Sequence, residues 1–506
     1  MVCHVTFLPD GKSVDVPEGT KISDAGIRAG VSIKLPCAGN GRCGKCIVEI
    51  GNERVLACQT EVYDGMIVTV PKEDQGKVIA AIDHRAEDIG DLSPLSDGYG
   101  LAVDIGTTTV AAEILDLSTG KVIYKAADMN LQRSRGEDVL ARIEYAGDGG
   151  TEELRGLVID TINGLIDSCD IAGFSKDDIR SAYIAGNTAM THLFLGIDPS
   201  PIRYPPFEPV VKDASITGKE SRLHINDDAK VICMPSVSSY VGGDITSDIV
   251  DSGMDRNEGL ALLIDVGTNG EVAIGNADML LCCSSSAGPA FEGSQMTSGM
   301  LAKDGAIDSV RIIDGKVHYT VIGGGEPKGI CGSGIIDLVA QMFLAGFLDR
   351  RGNFTDKANA KDGVFTVTGD VVMTQSEISN VIMTKAAIYS ASGTMVRSLG
   401  VSFDDLERIY IAGGFGNFID MESAITIGLF PDVDRSKYEY LGNASLSGAK
   451  GALVSGEFRD RIDEVFPKMT YVDLGSDPVF YDEYMSAQFL PHTDDDKFPS
   501  VGKNRL

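Results

Sequence analysis

Cys37, Cys43, Cys46 and Cys58 sit together in one glycine-rich loop and the hairpin that follows it. Four thiolates are the ligand set of a 2Fe-2S cluster, and the small residues between the first three let the backbone wrap closely and aim N–H groups at the sulfurs. Residues 47–50 and 54–57 read as short strands turning at Gly51-Asn52, which brings Cys58 back beside Cys46. The rivals are a structural zinc site and a set of buried thiols. A zinc ribbon would show two Cys-x-x-Cys pairs, whereas only Cys43 and Cys46 form one here, so the cluster is the expected occupant.

A second set of residues points to phosphate chemistry. An apolar run from Tyr99 carries Asp104 near its end, followed by the turn Gly106-Thr107-Thr108-Thr109 and a β-rich run to Leu115. An acidic residue at a strand end can organise hydrated Mg²⁺, and a Gly-Thr turn offers backbone N–H and hydroxyl donors to phosphate oxygens. One such turn is a weak signal, but the plan recurs: Asp265 ends another apolar run and leads into Gly267-Thr268-Asn269-Gly270. Two copies imply two similar lobes facing one nucleotide. A third element, a buried-type strand running into Gly413-Gly414-Phe415-Gly416, would let a flat adenine lie against bare backbone, with residues 182–188 as its weaker counterpart.

Length and pattern define the elements that must hold these residues. A chain of 506 residues calls for three or four folding units. Two strands around Asp10-Gly11 and a short helix from Ile22 lead into the cysteine loop, giving a first unit over 1–76. A polar, Pro- and Gly-punctuated linker over 77–98 follows, then one lobe over 99–255, a second over 256–490, and a polar C-terminal tail over 491–506. The net charge of −30 and pI near 4.5 exclude nucleic acid and anionic membrane as main partners, since both would be repelled. No signal segment or bilayer-length apolar run is present, so the expected location is cytoplasmic. The six other cysteines lack disulfide-like spacing and fit a reducing compartment; Cys282, Cys283 and Cys331 are expected to be packing residues. No histidine falls in metal-ligand spacing.

The cysteine spacing resembles that of the 2Fe-2S ferredoxins of the β-grasp fold, with one extra residue in the first gap relative to plant-type members. The three glycine-rich motifs, in order, resemble the phosphate-1, phosphate-2 and adenosine motifs of the superfamily containing sugar kinases, acetate kinase, actin and the heat-shock ATPases. Together with Val241-Gly242-Gly243-Asp244-Ile245, Ser286-Ala287-Gly288-Pro289 and Ile330-Cys331-Gly332-Ser333-Gly334, the combination resembles the reductive activators of corrinoid proteins over nearly the whole chain. The resemblance implies an α/β and α+β multidomain fold, a β-grasp ferredoxin followed by a two-lobed actin-like ATPase. It implies one-electron reduction of Co(II) to Co(I) in a corrinoid protein of a methyltransferase system. It also implies an outside electron donor, a reductase or ferredoxin, and leaves homodimerisation open.

The roles that follow are graded by chemistry. Asp104 and Asp265 would face Mg²⁺ through water, the two Gly-Thr turns would hold phosphate, and Gly332, Ser333 and residues 413–416 would complete the nucleotide site. Asp244 would orient a hydrolytic water, with a helix N-cap as its equal alternative. The loop from Gly288 to Met300 would meet the partner, or is a plain mobile loop. Plant-type 2Fe-2S centres sit near about −400 mV, so transfer to cobalt is expected to run uphill without help. A ligand that discriminates two states by about 5.5 kcal/mol shifts their ratio about 10⁴-fold, worth roughly 240 mV for one electron. Three alternatives stand beside this reading: a small-molecule kinase with an accessory cluster, an activator of a 2-hydroxyacyl-CoA dehydratase, and an ATP-gated redox sensor.

Overall fold

The computed structural model describes residues 2–9, 11–29, 31, 33, 46–51, 53–70, 92–205, 207–292, 296–414 and 419–503. At the N-terminus, β1 (Val2–Leu8) and β2 (Lys12–Pro17) pair as an antiparallel hairpin. The alternation in β1 puts Cys3, Val5 and Phe7 inside, where they meet Ile22 and Ala25 of the Ile22–Arg28 helix. β3 (Ile47–Ile50), β4 (Glu53–Leu56) and β5 (Met66–Thr69) complete a sheet of order β2-β1-β5-β3-β4, in which β5 runs parallel to β1. That mixed sheet with its crossing helix is the ferredoxin arrangement expected from the sequence.

The remainder is built on two six-stranded sheets of one plan. β6 (Tyr99–Ile105), β7 (Thr109–Asp116) and β8 (Lys121–Met129) form an antiparallel meander. β9 (Ile179–Gly186) adds parallel to β6, β11 (Lys230–Cys233) adds parallel to β9, and β10 (Ala214–Thr217) closes the edge. The second sheet repeats the meander with β12 (Ala261–Val266), β13 (Gly270–Gly275) and β14 (Leu280–Ser285). Between them and the rest of that sheet lie a small sheet of β15 (Ala306–Ile313), β16 (Lys316–Val321) and β17 (Gly329–Ile330), and the hairpin β18 (Val364–Thr368) with β19 (Val371–Thr374). β20 (Arg408–Ala412) and β21 (Tyr438–Gly442) then add in parallel beside β12, and β22 (Met469–Tyr471) pairs with β14. The central strands are covered on both faces, which is why they read as continuous apolar runs rather than alternating ones.

The Gly243–Ser252 and Ala444–Val454 helices cross where the two sheets meet. Their contact is close because position 448 is glycine: a Cβ there would lie 2.6 Å from the Ser247 carbonyl oxygen. It is also polar, with Ser445 Oγ donating to Asp248 at 2.9 Å and Ser247 Oγ donating to the Ser445 carbonyl at 2.7 Å. The Ala444–Val454 helix packs on β6 and β9, although in sequence it follows the second sheet's β21.

The C-terminal segment differs from the expected polar tail. His492, Phe498 and Val501 are buried against Tyr389 and its neighbours, and Ser500 is tied by its N–H to Asp432 at 2.7 Å. Lys385, wholly buried in the Gln375–Ser398 helix, donates to the Phe489 and Pro491 carbonyls at 2.5 and 2.6 Å. The apolar side chains are few and widely spaced in sequence, so composition alone hides this packing.

Candidate functional site

Cys46 and Cys58 are buried with their sulfurs 3.2 Å apart, close enough to ligate one iron. The hairpin explains the approach: β3 and β4 align Ile47 with Leu56, and Ala57 N–H donates to the Cys46 carbonyl at 2.8 Å. Cys37 and Cys43 lie outside the described residues, so the described half of the ligand set fits a cluster.

Both β-turns predicted to hold phosphate line one pocket with Asp104, Asp244, Asp265, Gly332, Ser333, Gly413 and Gly414. Phe415 and Gly416 lie outside the described residues. The first turn is held from behind by three contacts to its carbonyls. Asn130 Nδ2 donates to Gly106 O at 3.0 Å, Arg142 Nη2 to Thr107 O at 2.5 Å, and Asn130 N–H to Thr108 O at 2.9 Å. In a trans peptide the next N–H points opposite to the carbonyl, so the N–H groups of Thr107, Thr108 and Thr109 aim away from these anchors, as an anion cradle requires. The second turn is tighter, closed by Gly267 N–H to Asn269 O at 3.1 Å.

Carboxylates dominate the electrostatics. Burial lifts Asp104 to about 7, opposed by the 2.9 Å hydrogen bond from Asn443 Nδ2 and reinforced by Asp244. Burial lifts Asp244 to about 6 against several backbone N–H groups. Glu271 is raised by burial and by the charges of Asp244 and Asp265, and Asp248, behind the pocket, is raised likewise. No Lys, Arg or His among the described residues lines this pocket. Such a site wants cations, and a nucleotide would enter it with a metal ion. No group of three ligating side chains among the described residues is arranged to hold an ion directly.

The structure also corrects physical reasons. Asp244 is not a helix cap: Gly242 occupies that position, and Asp244 sits in the first turn with Oδ1 accepting from Ile245 N–H at 2.9 Å. Gly413 has φ +105°, and a Cβ there would lie 2.8 Å from Asp265 Oδ1, so its bareness accommodates the carboxylate as well as the pocket. Cys331 is buried as expected, with Sγ 3.3 Å from Ile307 O, yet it also forms pocket wall. The end of the 288–300 loop is tied down, with Ser298 Oγ accepting from Val372 N–H at 2.9 Å and Met300 N–H donating to Ile330 O at 2.9 Å. Sequence reasoning missed Glu271 and Asn443, and held Asn187 only as part of the weaker counterpart motif over 182–188. Glu271 had a signal, since it directly opposes Asp265 across β12 and β13 and must share its face.

Residues 259–502 match the C-terminal domain of RACo, the ASKHA domain, residues 99–257 the RACo middle region, and residues 3–73 a 2Fe-2S iron-sulfur cluster binding domain. The corrinoid activation enzyme RamQ of Eubacterium limosum is 30% identical over 575 aligned residues, spanning 94% of this chain and 97% of that protein. The chain belongs to the family of corrinoid activators. The RamQ alignment is longer than this 506-residue activator, so RamQ carries segments that the present chain lacks. A [Co(II) methylated amine-specific corrinoid protein] reductase of Methanosarcina barkeri is 24% identical over 404 residues, 74% of this activator and 73% of that protein. The solved structure of a reductive activator for corrinoid, iron-sulfur protein aligns with a TM-score of 0.78 at 34% identity, covering 99% of this chain and all of the other.

Proposed function

We propose that the chain uses ATP to drive one-electron reduction of Co(II) to Co(I) in a corrinoid protein of a methyltransferase system. The observation that carries this reading is the union of a 2Fe-2S domain with a two-lobed ATPase whose carboxylates and amide-lined turn share one pocket. Of the two named relatives, one is a corrinoid activation enzyme and the other a reductase of a Co(II) corrinoid protein. Cys37, Cys43, Cys46 and Cys58 hold the cluster, which supplies one-electron transfer from a reductase or ferredoxin. Asp104 and Asp265 order water around Mg²⁺, the Thr107 to Thr109 turn takes phosphate, and residues 413–416 flank adenosine. Asp244 orients the water for hydrolysis. Among the described residues no helix is long and apolar enough to cross a membrane, which is compatible with a cytoplasmic site of action.

The pocket volume bears on how ATP acts. At about 170 Å³ it is smaller than the about 300–1,000 Å³ of ligand clefts. ATP helps the transfer where the nucleotide-bound and nucleotide-free forms contact the corrinoid partner differently. The test is the anaerobic electronic spectrum of a Co(II) corrinoid protein mixed with this protein and a strong reductant. Co(II) should disappear faster with MgATP than without it; equal rates across several corrinoid proteins would refute the assignment.

A further inference from the structure

Gln59 follows Cys58 directly in the chain, and its side chain turns back on it: Gln59 Nε2 donates to Cys58 Sγ at 3.6 Å. Cys58 is 5% exposed while Gln59 is exposed, so the amide meets a sulfur that water scarcely reaches. The backbone beneath is pinned. Ser23 N–H donates to the Ala57 carbonyl at 3.1 Å, Ile22 N–H to the Thr60 carbonyl at 2.9 Å and Val62 N–H to the Thr20 carbonyl at 2.9 Å, which lays residues 57–62 along residues 20–23. Lys21 Nζ donates to the Gln59 carbonyl itself at 3.0 Å and pairs with Glu61 at 3.2 Å. With its backbone fixed on both flanks, Gln59 has only side-chain torsions left to place the amide.

The contact bears on the group that the cysteines hold. Hydrogen bonds to the sulfurs and exposure to solvent are among the features that set an iron-sulfur potential. One-electron reduction adds negative charge that the ligand sulfurs share, and a hydrogen bond to a charged acceptor is stronger than one to a neutral acceptor. A donor on Cys58 Sγ therefore favours the reduced form over the oxidised form. Gln59 carries no charge, so its effect comes from this contact rather than from a field acting at a distance.

We propose that Gln59 sets the reduction potential of the 2Fe-2S cluster, holding it up through the hydrogen bond to Cys58, an inference that rests on the cluster reading above. Gln59 lies outside the nucleotide pocket and is not a ligand, so it acts on the reaction only through the sulfur it touches. Two consequences oppose each other. An outside donor passes its electron to the cluster more readily, and onward transfer to cobalt runs uphill by the same added amount. The hydrogen bond thus fixes how the electron's path is divided between the donor step and the step that nucleotide assists.

The experiment uses the cluster-loaded full chain as wild type, Gln59→Met, Gln59→Leu and Gln59→Glu. The reduced fraction is followed by electron paramagnetic resonance through an anaerobic titration with redox mediators, without nucleotide or corrinoid protein. Met and Leu fill the space of the amide and keep water from Cys58 but offer no donor, while an ionised Glu offers acceptors alone. Iron content and the visible spectrum report an intact site. At a fixed poise Gln59→Met should lower the ratio of reduced to oxidised cluster by about threefold or more, about 28 mV at about 59 mV per tenfold, and Gln59→Glu should lower it further. A smaller shift in Gln59→Met, or one toward the reduced form, overturns the proposal, and Gln59→Leu decides by the same criterion if Gln59→Met assembles no cluster. A shift in Gln59→Glu alone would show only a charge acting at a distance, and loss of iron in all three variants would make Gln59 part of the ligand loop's fold; either result overturns a tuning role. The readings fail separately. Iron-loaded Gln59→Met at the wild-type potential removes the tuning role alone, whereas iron-loaded wild type that never reduces cobalt with ATP removes the activator reading and leaves the measured potential shift standing.

Discussion

Replacing Asp104 by Asn should make the nucleotide-free ATPase more stable at neutral pH while removing its response to Mg-nucleotide. Burial lifts the Asp104 carboxyl from 3.8 to about 7. A carboxyl raised in the fold costs stability when ionised: the cost is complete above about 7, shrinks as pH falls through that value, and is gone below the unfolded value. At about 1.36 kcal/mol per pH unit, the shift sets a ceiling of about 4 kcal/mol. Asp104 keeps part of its surface on the pocket, so screening reduces the penalty to about 1–2 kcal/mol. Asn leaves no cavity and still accepts from Asn443 Nδ2, so the substitution removes the charge alone. By scanning calorimetry the ATPase transition of Asp104→Asn should therefore lie a few degrees above wild type at pH 8, with the gap narrowing toward pH 5.5. Mg-nucleotide at 100 times its Kd should add about 2.7 kcal/mol to wild type and little to the variant, reversing their order. A variant less stable than wild type at pH 8 without nucleotide, or a gap that does not narrow with acid, would refute the reasoning.

Cys46→Ala should lose the cluster, because its sulfur lies 3.2 Å from that of Cys58 and the substitution removes one of four thiolate ligands; iron analysis showing wild-type content would contradict this. Asp265→Ala should weaken Mg-nucleotide binding at least tenfold and leave the cluster spectrum unchanged, and equal loss of both would point to global unfolding instead. Lys385→Ala should cost about 2–4 kcal/mol in the ATPase transition, since the half-buried Phe489 carbonyl and the buried Pro491 carbonyl lose their donor. An unchanged melting temperature would show that water replaces the ammonium.

The sequence was legible where a repeated local pattern forced a geometry. Two strand-Asp-Gly-Thr copies produced two meanders of the same order, and their turns meet in one pocket because each follows the first strand of its sheet. Asn130, Arg142 and Asn443 were not legible, since their role is to reach backbone or side chains that the topology, not the spacing, brings near. The same holds for the C-terminal segment, whose polar composition masks the burial of Phe498 and Val501.

The Ala444–Val454 helix has a consequence for how such proteins can be taken apart. Leu446, Ala449 and Leu453 share one core with Ala102, Leu115 and Tyr183, and Leu95 N–H donates to the Leu453 carbonyl at 2.9 Å. A chain severed near residue 258 would leave bare sheet in one fragment and an orphaned apolar helix in the other. The two halves are interlaced like clasped hands, so recombination between relatives can exchange the ATPase whole but cannot shuffle its halves without carrying that helix along.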